Sequence, residues 1–325
     1  MDRRTVLVTG GNSGIGFECA RALARSGWDV LIASRDRAAS AAAARRITAE
    51  SGGATVADME VDLGSTASVR QFVKQIEAAD MPLHALVCNA GTQVTSGPRL
   101  SSDGYELTFA VNHLGHFLLT NLLLGRLRAN APARIVVVAS GVHDPKLRTG
   151  MPKAAVADLA TLAATGGPRR DAFDGRLAYV NSKLCNLWFT YELMRRLAAA
   201  EGAGTQPHVT VNAFDPGLVP GSGLARDYPA ALRFVWYRIL PAVARALSPV
   251  LPTINPANKA GAALARLVSD PALAGVSGQY FPSHARWRSA ASSDASYDVQ
   301  RARELWEASA AMTRLTAAES PLVAA

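Results

Sequence analysis

Short apolar runs alternate with helix-patterned segments along almost the whole chain. Residues 5–9, 30–33, 55–61, 83–88, 134–139, 209–214 and 279–281 read as strands rich in valine, leucine and isoleucine. Between them, residues 14–26, 37–51, 66–79, 103–128, 177–200 and 256–269 carry helical spacing, with Ser65 or Thr66 as the N-cap of the third. Residues 298–312 read as a terminal helix. Strands that are separated by helices pair in parallel through right-handed crossovers. Runs that stay apolar, rather than alternating, suit strands covered on both faces. The expected fold is therefore α/β, a doubly wound parallel sheet of about seven strands with helices on both faces.

No internal repeat or linker interrupts this pattern, so residues 1–325 are expected to form one domain, with a loose tail from about residue 313. Hydrophobic residues make up 49% and charged residues 18%, a balance that excludes a disordered chain. The net charge of +8 comes from an arginine-rich composition without a basic stripe bearing interleaved aromatics, so no nucleic-acid partner is expected. Cys19, Cys88 and Cys185 fit neither a zinc site nor a disulfide framework and read as buried thiols, which favours a reducing compartment. Met1, Asp2, Arg3 and Arg4 run straight into the first strand, leaving no room for the apolar core of a signal peptide. A cytoplasmic protein is the expectation. The least polar long stretch, residues 232–251, is interrupted by Arg233, Arg238, Arg245, Pro241 and Pro249. It reads as an amphipathic helix broken at Pro241, not as a membrane span.

A glycine string, Thr9-Gly10-Gly11-Asn12-Ser13-Gly14-Ile15-Gly16, joins the first strand to the first helix. Glycines let the backbone approach a pyrophosphate, which the positive end of the helix then holds. The second strand ends in Ser34-Arg35, where NAD sites usually place an acidic side chain. A guanidinium there suits a 2′-phosphate, so NADP(H) is the expected cofactor. Asp36 reads as the start of the next helix.

Tyr179 and Lys183 lie four residues apart in a helical pattern, on one face. A phenol titrates near 10, and an adjacent ammonium is expected to lower that value until the pair can trade a proton with an alcohol or carbonyl. Ser140 closes the fifth strand, where its hydroxyl can bond a substrate oxygen or serve only the turn. Asn112 can hold a water that links Lys183 to solvent, or mark a bend in its helix. His113 and His116 have a spacing that metals use, but no third ligand accompanies them; they and His143 read as packing residues, and no metal is expected.

Taken together, Thr9 to Gly16, Asp62-Leu63, Asn89-Ala90-Gly91, Asn112, Ser140, Tyr179 with Lys183, and Pro216-Gly217 resemble the short-chain dehydrogenase/reductase family and its Rossmann-type fold. The resemblance implies that Asp62 meets the adenine, that Asn89 and Gly91 line the cofactor groove, and that Asn112, Ser140, Tyr179 and Lys183 form a catalytic tetrad. It also implies that Lys183 holds the nicotinamide ribose, and that the protein forms homo-oligomers. Within the family, Phe173-Asp174-Gly175, the 152–158 insertion, Ser182 through Asn186, and Gly223-Leu224 with Arg226 look like the light-dependent protochlorophyllide reductases. Retinol-dehydrogenase-like enzymes come next. Those photoenzymes carry a cysteine directly after the Pro-Gly pair, and this chain has Leu218. The expected activity is therefore hydride transfer to or from another apolar carbonyl, alcohol or enone. Protochlorophyllide photoreduction and a non-catalytic NADP(H) sensor are the alternatives.

Two connections are too long for simple turns, residues 141–175 and 217–255. The second begins with Gly217, Gly221 and Gly223 and continues into Phe234, Val235, Trp236, Ile239 and Leu240. Residues 218–251 read as a lid over an apolar substrate. A fixed helix on the core and a helix lying on a membrane surface are the other readings.

Overall fold

The structure, a computed structural model, describes residues 3–156, 173–201 and 208–322. Among the described residues, seven parallel strands form one sheet: β1 (Thr5–Thr9), β2 (Asp29–Ser34), β3 (Val56–Glu60), β4 (Ala85–Cys88), β5 (Ala133–Val138), β6 (Val209–Asp215) and β7 (Tyr280–Pro282). Their spatial order is β3-β2-β1-β4-β5-β6-β7. The chain winds outward from β1 in one direction, then returns to β4 and winds outward in the other. This Rossmann-type arrangement leaves a crevice between the C-terminal ends of β1 and β4, where ligands of such sheets bind.

Both faces of the sheet are buried, which explains the uninterrupted apolar runs. Leu7, Leu31, Leu86, Ile135 and Val137 point into one core, while Val6, Val8, Ile32, Val87 and Val136 point into the other. The first core is closed by α3 (Thr66–Ala78), α4 (Leu107–Ala129), α5 (Gly175–Glu201) and α8 (Val299–Thr313), through residues such as Phe72, Phe117, Phe189 and Trp306. The second is closed by α1 (Gly14–Arg25), α2 (Arg37–Glu50) and α7 (Ala257–Ser269). Among the described residues α4 is the one helix long and apolar enough to cross a membrane, and 89% of its 18-residue apolar stretch is buried inside the fold. Cys19, Cys88 and Cys185 are free and buried.

Local chemistry sets the element ends. Ser65, not Thr66, caps α3 by accepting from the Ser68 amide. The helix expected from residue 103 begins only at Leu107, because the buried Glu106 carboxylate takes the amides of Thr108 and Phe109. A π turn at Ala110–Leu114, centred on Asn112, then interrupts the α-helical ladder of α4.

Two expectations are corrected. Pro241 does not break its helix: α6 (residues 230–247) runs through it, with a π turn at Val235–Ile239 just before the proline. The bulge loosens the local hydrogen-bond ladder, which accommodates a residue without an N–H. Nor is the tail loose from residue 313 as far as it is described. Arg70 holds the Glu319 carboxylate at 3.0 and 3.2 Å and the carbonyls of Thr313 and Arg314. Leu315 and Leu322 are buried, and the Ser320 hydroxyl donates to Asn121. The long connection at 141–175 and the 152–158 insertion run partly into residues 157–172, outside those described.

Candidate active site

The loops at the C-terminal edge of the sheet enclose a cavity of about 1340 Å³. Its inner end is the glycine string: Gly10, Asn12, Ser13, Gly14, Ile15 and Gly16 all line it. A side chain at position 16 would place Cβ 2.4 Å from both Asn89 Nδ2 and the Gly10 carbonyl, so only glycine allows this turn against the β4 loop. Ser13 precedes α1 in an extended conformation, and its hydroxyl makes no capping bond. No acidic residue lies in the first turn of α1. The leading amides of α1 therefore keep their positive end open to the cavity, as an anion site requires.

The other predicted cofactor residues converge on the same space. Ala90, Gly91, Asp62 and Leu63 line it, and the Asp62 carboxylate accepts from the Gly64 amide at 2.9 Å. Asn89 also braces the floor: its Nδ2 donates to the Thr9 carbonyl at 2.8 Å and its amide to Thr9 Oγ1 at 2.9 Å. Ser34 and Arg35 stand at the mouth, joined by Arg37, which the sequence reading did not single out. Asp36 caps α2 by accepting from Ala39, as expected. Among the described residues neither Arg35 nor Arg37 is paired with a carboxylate. Pro216 and Gly217 close the far side. Gly217 has φ +72°, and a Cβ there would lie 2.4 Å from Ser283 Oγ, so the position requires glycine twice over.

Tyr179, Lys183 and Ser140 meet in the middle of the cavity wall. Tyr179 and Lys183 share one face of α5, both buried, with Lys183 Nζ 5.6 Å from the centre of the phenol ring. The ammonium donates to the Val138 carbonyl at 3.0 Å, a carbonyl it shares with Asn186 Nδ2 at 3.1 Å. This geometry corrects one expectation. Where the ammonium was expected to bring the phenol down, burial and the Asp215 carboxylate push Tyr179 well above its usual value, opposed by a hydrogen bond from Ser140. Burial brings Lys183 down to about 8, with Asp215 acting the other way.

Asn112 stands one layer behind the wall. Its Oδ1 accepts from the Thr92 amide at 2.8 Å, while Nδ2 donates to the Thr92 carbonyl and to Ser182 Oγ. The side chain thus ties the end of β4 to the residue beside Lys183. Its backbone carbonyl accepts from His116 Nδ1 at 3.1 Å. His116 Nε2 is then free to accept from Thr9 Oγ1 at 2.9 Å, so one neutral imidazole links the glycine loop to the π turn of α4.

Histidine and aspartate roles were the part sequence reasoning missed. His143 donates from Nδ1 to the Ser140 carbonyl at 2.6 Å and accepts at Nε2 from the Ser293 amide, which fixes the turn that carries Ser140. His113 packs among Phe109, Phe117 and Phe189 and bonds Ser309. Asp215 accepts from the Gly217 amide and from the Tyr280 hydroxyl. Its position just before Pro216-Gly217 was the available signal.

A sequence profile of the short chain dehydrogenases matches residues 4–165, which include the glycine string, the β4 loop and Ser140. A protochlorophyllide reductase A of rice (Oryza sativa subsp. japonica) is 35% identical over 94% of this chain and 79% of its own length. The chain belongs to the short chain dehydrogenase family. A WW domain-containing oxidoreductase of Danio rerio is 37% identical over 94% of this chain and 67% of its own length. Among solved structures, the RhlG/NADP active-site complex of Pseudomonas aeruginosa superposes with a TM-score of 0.60 at 25% identity, covering 86% of this chain and 94% of that one.

One side of the cavity is formed by the segment after β6. Leu218, Val219, Ser222, Leu224, Tyr228 and Trp236 face the cavity. The segment is pinned at its base, where the Leu218 amide donates to Thr253 and the Asn255 amide to Leu218. Higher up, Trp236 Nε1 donates to the Ser222 carbonyl and the Tyr228 hydroxyl to Gln93.

Proposed function

We propose that this short chain dehydrogenase uses NADP(H) to exchange a hydride with an apolar carbonyl, alcohol or enone. The observation that carries the proposal is the placement of Tyr179, Lys183 and Ser140 in one cavity with an uncapped, glycine-lined helix N-terminus. The donor set fits a dinucleotide. The amides of Ser13 to Gly16 would hold the diphosphate, Asp62 the adenine, and Lys183 the nicotinamide ribose. When bound, the nicotinamide supplies or accepts the hydride.

The remaining chemistry belongs to the chain. Tyr179 donates or takes the proton at the substrate oxygen, and Ser140 steadies that oxygen by hydrogen bonding. Lys183, its affinity for a proton lowered by burial, supplies positive charge beside the phenol. His143 and Asn112 keep Ser140 and Lys183 in place from behind. Leu218 and Trp236 offer an apolar wall, and residues 218–251 would cover the substrate as a lid. Leu218 offers neither a thiol nor a proton, which favours this chemistry over pigment photoreduction.

The test follows NADPH consumption with apolar aldehydes, ketones and enones in the dark, and with protochlorophyllide under illumination. Turnover of a dark substrate is expected. Tight NADPH binding with no turnover under any condition would instead mark a nucleotide sensor.

Selection of the phosphorylated cofactor is assigned to Arg35, with Arg37 beside it. Both are exposed, so water screens their charge, and Arg35→Ala should weaken NADPH about tenfold, roughly 1.4 kcal/mol. NADH affinity should not change, and the doubly substituted Arg35→Ala, Arg37→Ala protein should lose more. Calorimetry that finds NADH bound as tightly as NADPH by the unaltered protein would remove this role.

A further inference from the structure

Arg226 stands on the outer wall of the cavity, across from the start of α1. Its guanidinium packs against Gly223, where a Cβ would come within 2.7 Å of Nη2 and 2.9 Å of Nε. Its Nη2 donates to Ser13 Oγ at 3.3 Å, a neutral hydroxyl that does not cap the helix. Among the described residues no carboxylate pairs with it. The neighbouring Asp227 is engaged elsewhere: its Oδ2 accepts from the amides of Thr95 and Ser96 at 2.7 and 2.8 Å, and its Oδ1 from Ser96 Oγ at 3.1 Å. Those bonds anchor the loop to the segment after β4 and leave the adjacent arginine aimed at the glycine string.

The guanidinium and the positive end of α1 thus face the same part of the glycine string. An anion placed there would meet both donors. A planar guanidinium is suited to grip phosphate oxygens in pairs. We propose that Arg226 is a phosphate-binding residue that holds the diphosphate of the dinucleotide from the side opposite α1. This rests on the reading of the cavity as a dinucleotide site and adds a second half to it. Arg35 and Arg37 serve the far phosphate on the adenosine ribose, whereas Arg226 joins the bridging phosphates to the segment that covers the substrate. Binding of the cofactor therefore draws that segment against the glycine string before substrate arrives. Gly223 belongs to the device, since any side chain there displaces the guanidinium.

Three ligands separate the phosphates: NADP⁺, 2′-phospho-ADP-ribose, which lacks the nicotinamide, and adenosine 2′-monophosphate, which lacks the diphosphate. Calorimetry on Arg226→Ala should show the first two weakened about 10- to 100-fold, the scale of a charged hydrogen bond, and the third unchanged. Gly223→Ala, which keeps the arginine but moves it, should give the same pattern with a smaller loss, and Arg226→Lys should fall between. Hydrogen exchange should show NADP⁺ protecting residues 222–236 in the unaltered protein and not in Arg226→Ala. The proposal is overturned if Arg226→Ala binds NADP⁺ within twofold of the unaltered protein, or if adenosine 2′-monophosphate weakens as much as NADP⁺ does. Failure of the unaltered protein to bind NADP⁺ at all would defeat the cofactor reading itself.

Discussion

Tyr179→Phe is expected to lower turnover by about 10²–10⁴-fold, the range that general acid–base catalysis commonly contributes. The substitution removes one oxygen and leaves the ring, so the packing of α5 against Lys183 survives. NADPH affinity should therefore stay within about threefold, because the phosphate and adenine contacts are supplied by other residues. The electrostatics sharpen the expectation. Burial and Asp215 hold the phenol in its protonated form, so proton loss from Tyr179 depends on the positive charge that Lys183 provides. Steady-state kinetics beside a binding isotherm decide the matter: near-normal turnover in the variant would take Tyr179 out of the chemistry.

Acid should weaken this protein before most of its carboxylates titrate. His113 and His116 are both deeply buried, and burial lowers them from 6.5 to about 3 and about 4, each also repelled by a nearby cationic or imidazole group. Below pH 6.5 the unfolded chain takes up two protons that the folded chain refuses. Stability is thus highest above 6.5 and is lost as the pH falls toward the folded values. At pH 5 the loss is about 2 kcal/mol for each histidine, from about 1.4 kcal/mol per pH unit, a sizeable share of a typical domain's stability. Urea denaturation at pH 7.5, 6.5 and 5 measures it. His113→Phe suits the aromatic cluster of Phe109, Phe117 and Phe189 and should flatten the slope by about half. Equal stability at pH 7.5 and pH 5 in the unaltered protein would refute the assignment.

The strands were legible because both sheet faces are buried: a run such as Val6-Leu7-Val8 has no polar alternation to confuse it. The glycine string, the Tyr179–Lys183 spacing and Ser34-Arg35 were legible because each is a local pattern with a local mechanism. What the sequence withheld is held together across long separations. His143 reaches Ser293, Arg70 reaches Glu319, and Asp227 reaches Thr95. None of these pairs leaves a periodicity. The charge balance at Tyr179 was misread for a related reason. Spacing places Lys183 on the same face, but only the fold shows its ammonium turned to Val138 and Asp215 close enough to oppose it.

The three cysteines give the protein an internal clock for its own opening. Cys19 sits on α1 behind the glycine string, Cys88 at the end of β4, and Cys185 on α5 among the residues that follow Lys183. All are closed off from water, and burial pushes every thiol above its ordinary value, so none reacts while the layer around it is shut. The rate at which each is alkylated then reports how often its own layer breathes, one for the helix behind the cofactor loop, one for the sheet, and one for the catalytic helix. A ligand that slows alkylation at Cys19 and leaves Cys185 unaffected has tightened the first layer alone. The chain carries, without any added label, a way to see which part of its groove a small molecule holds.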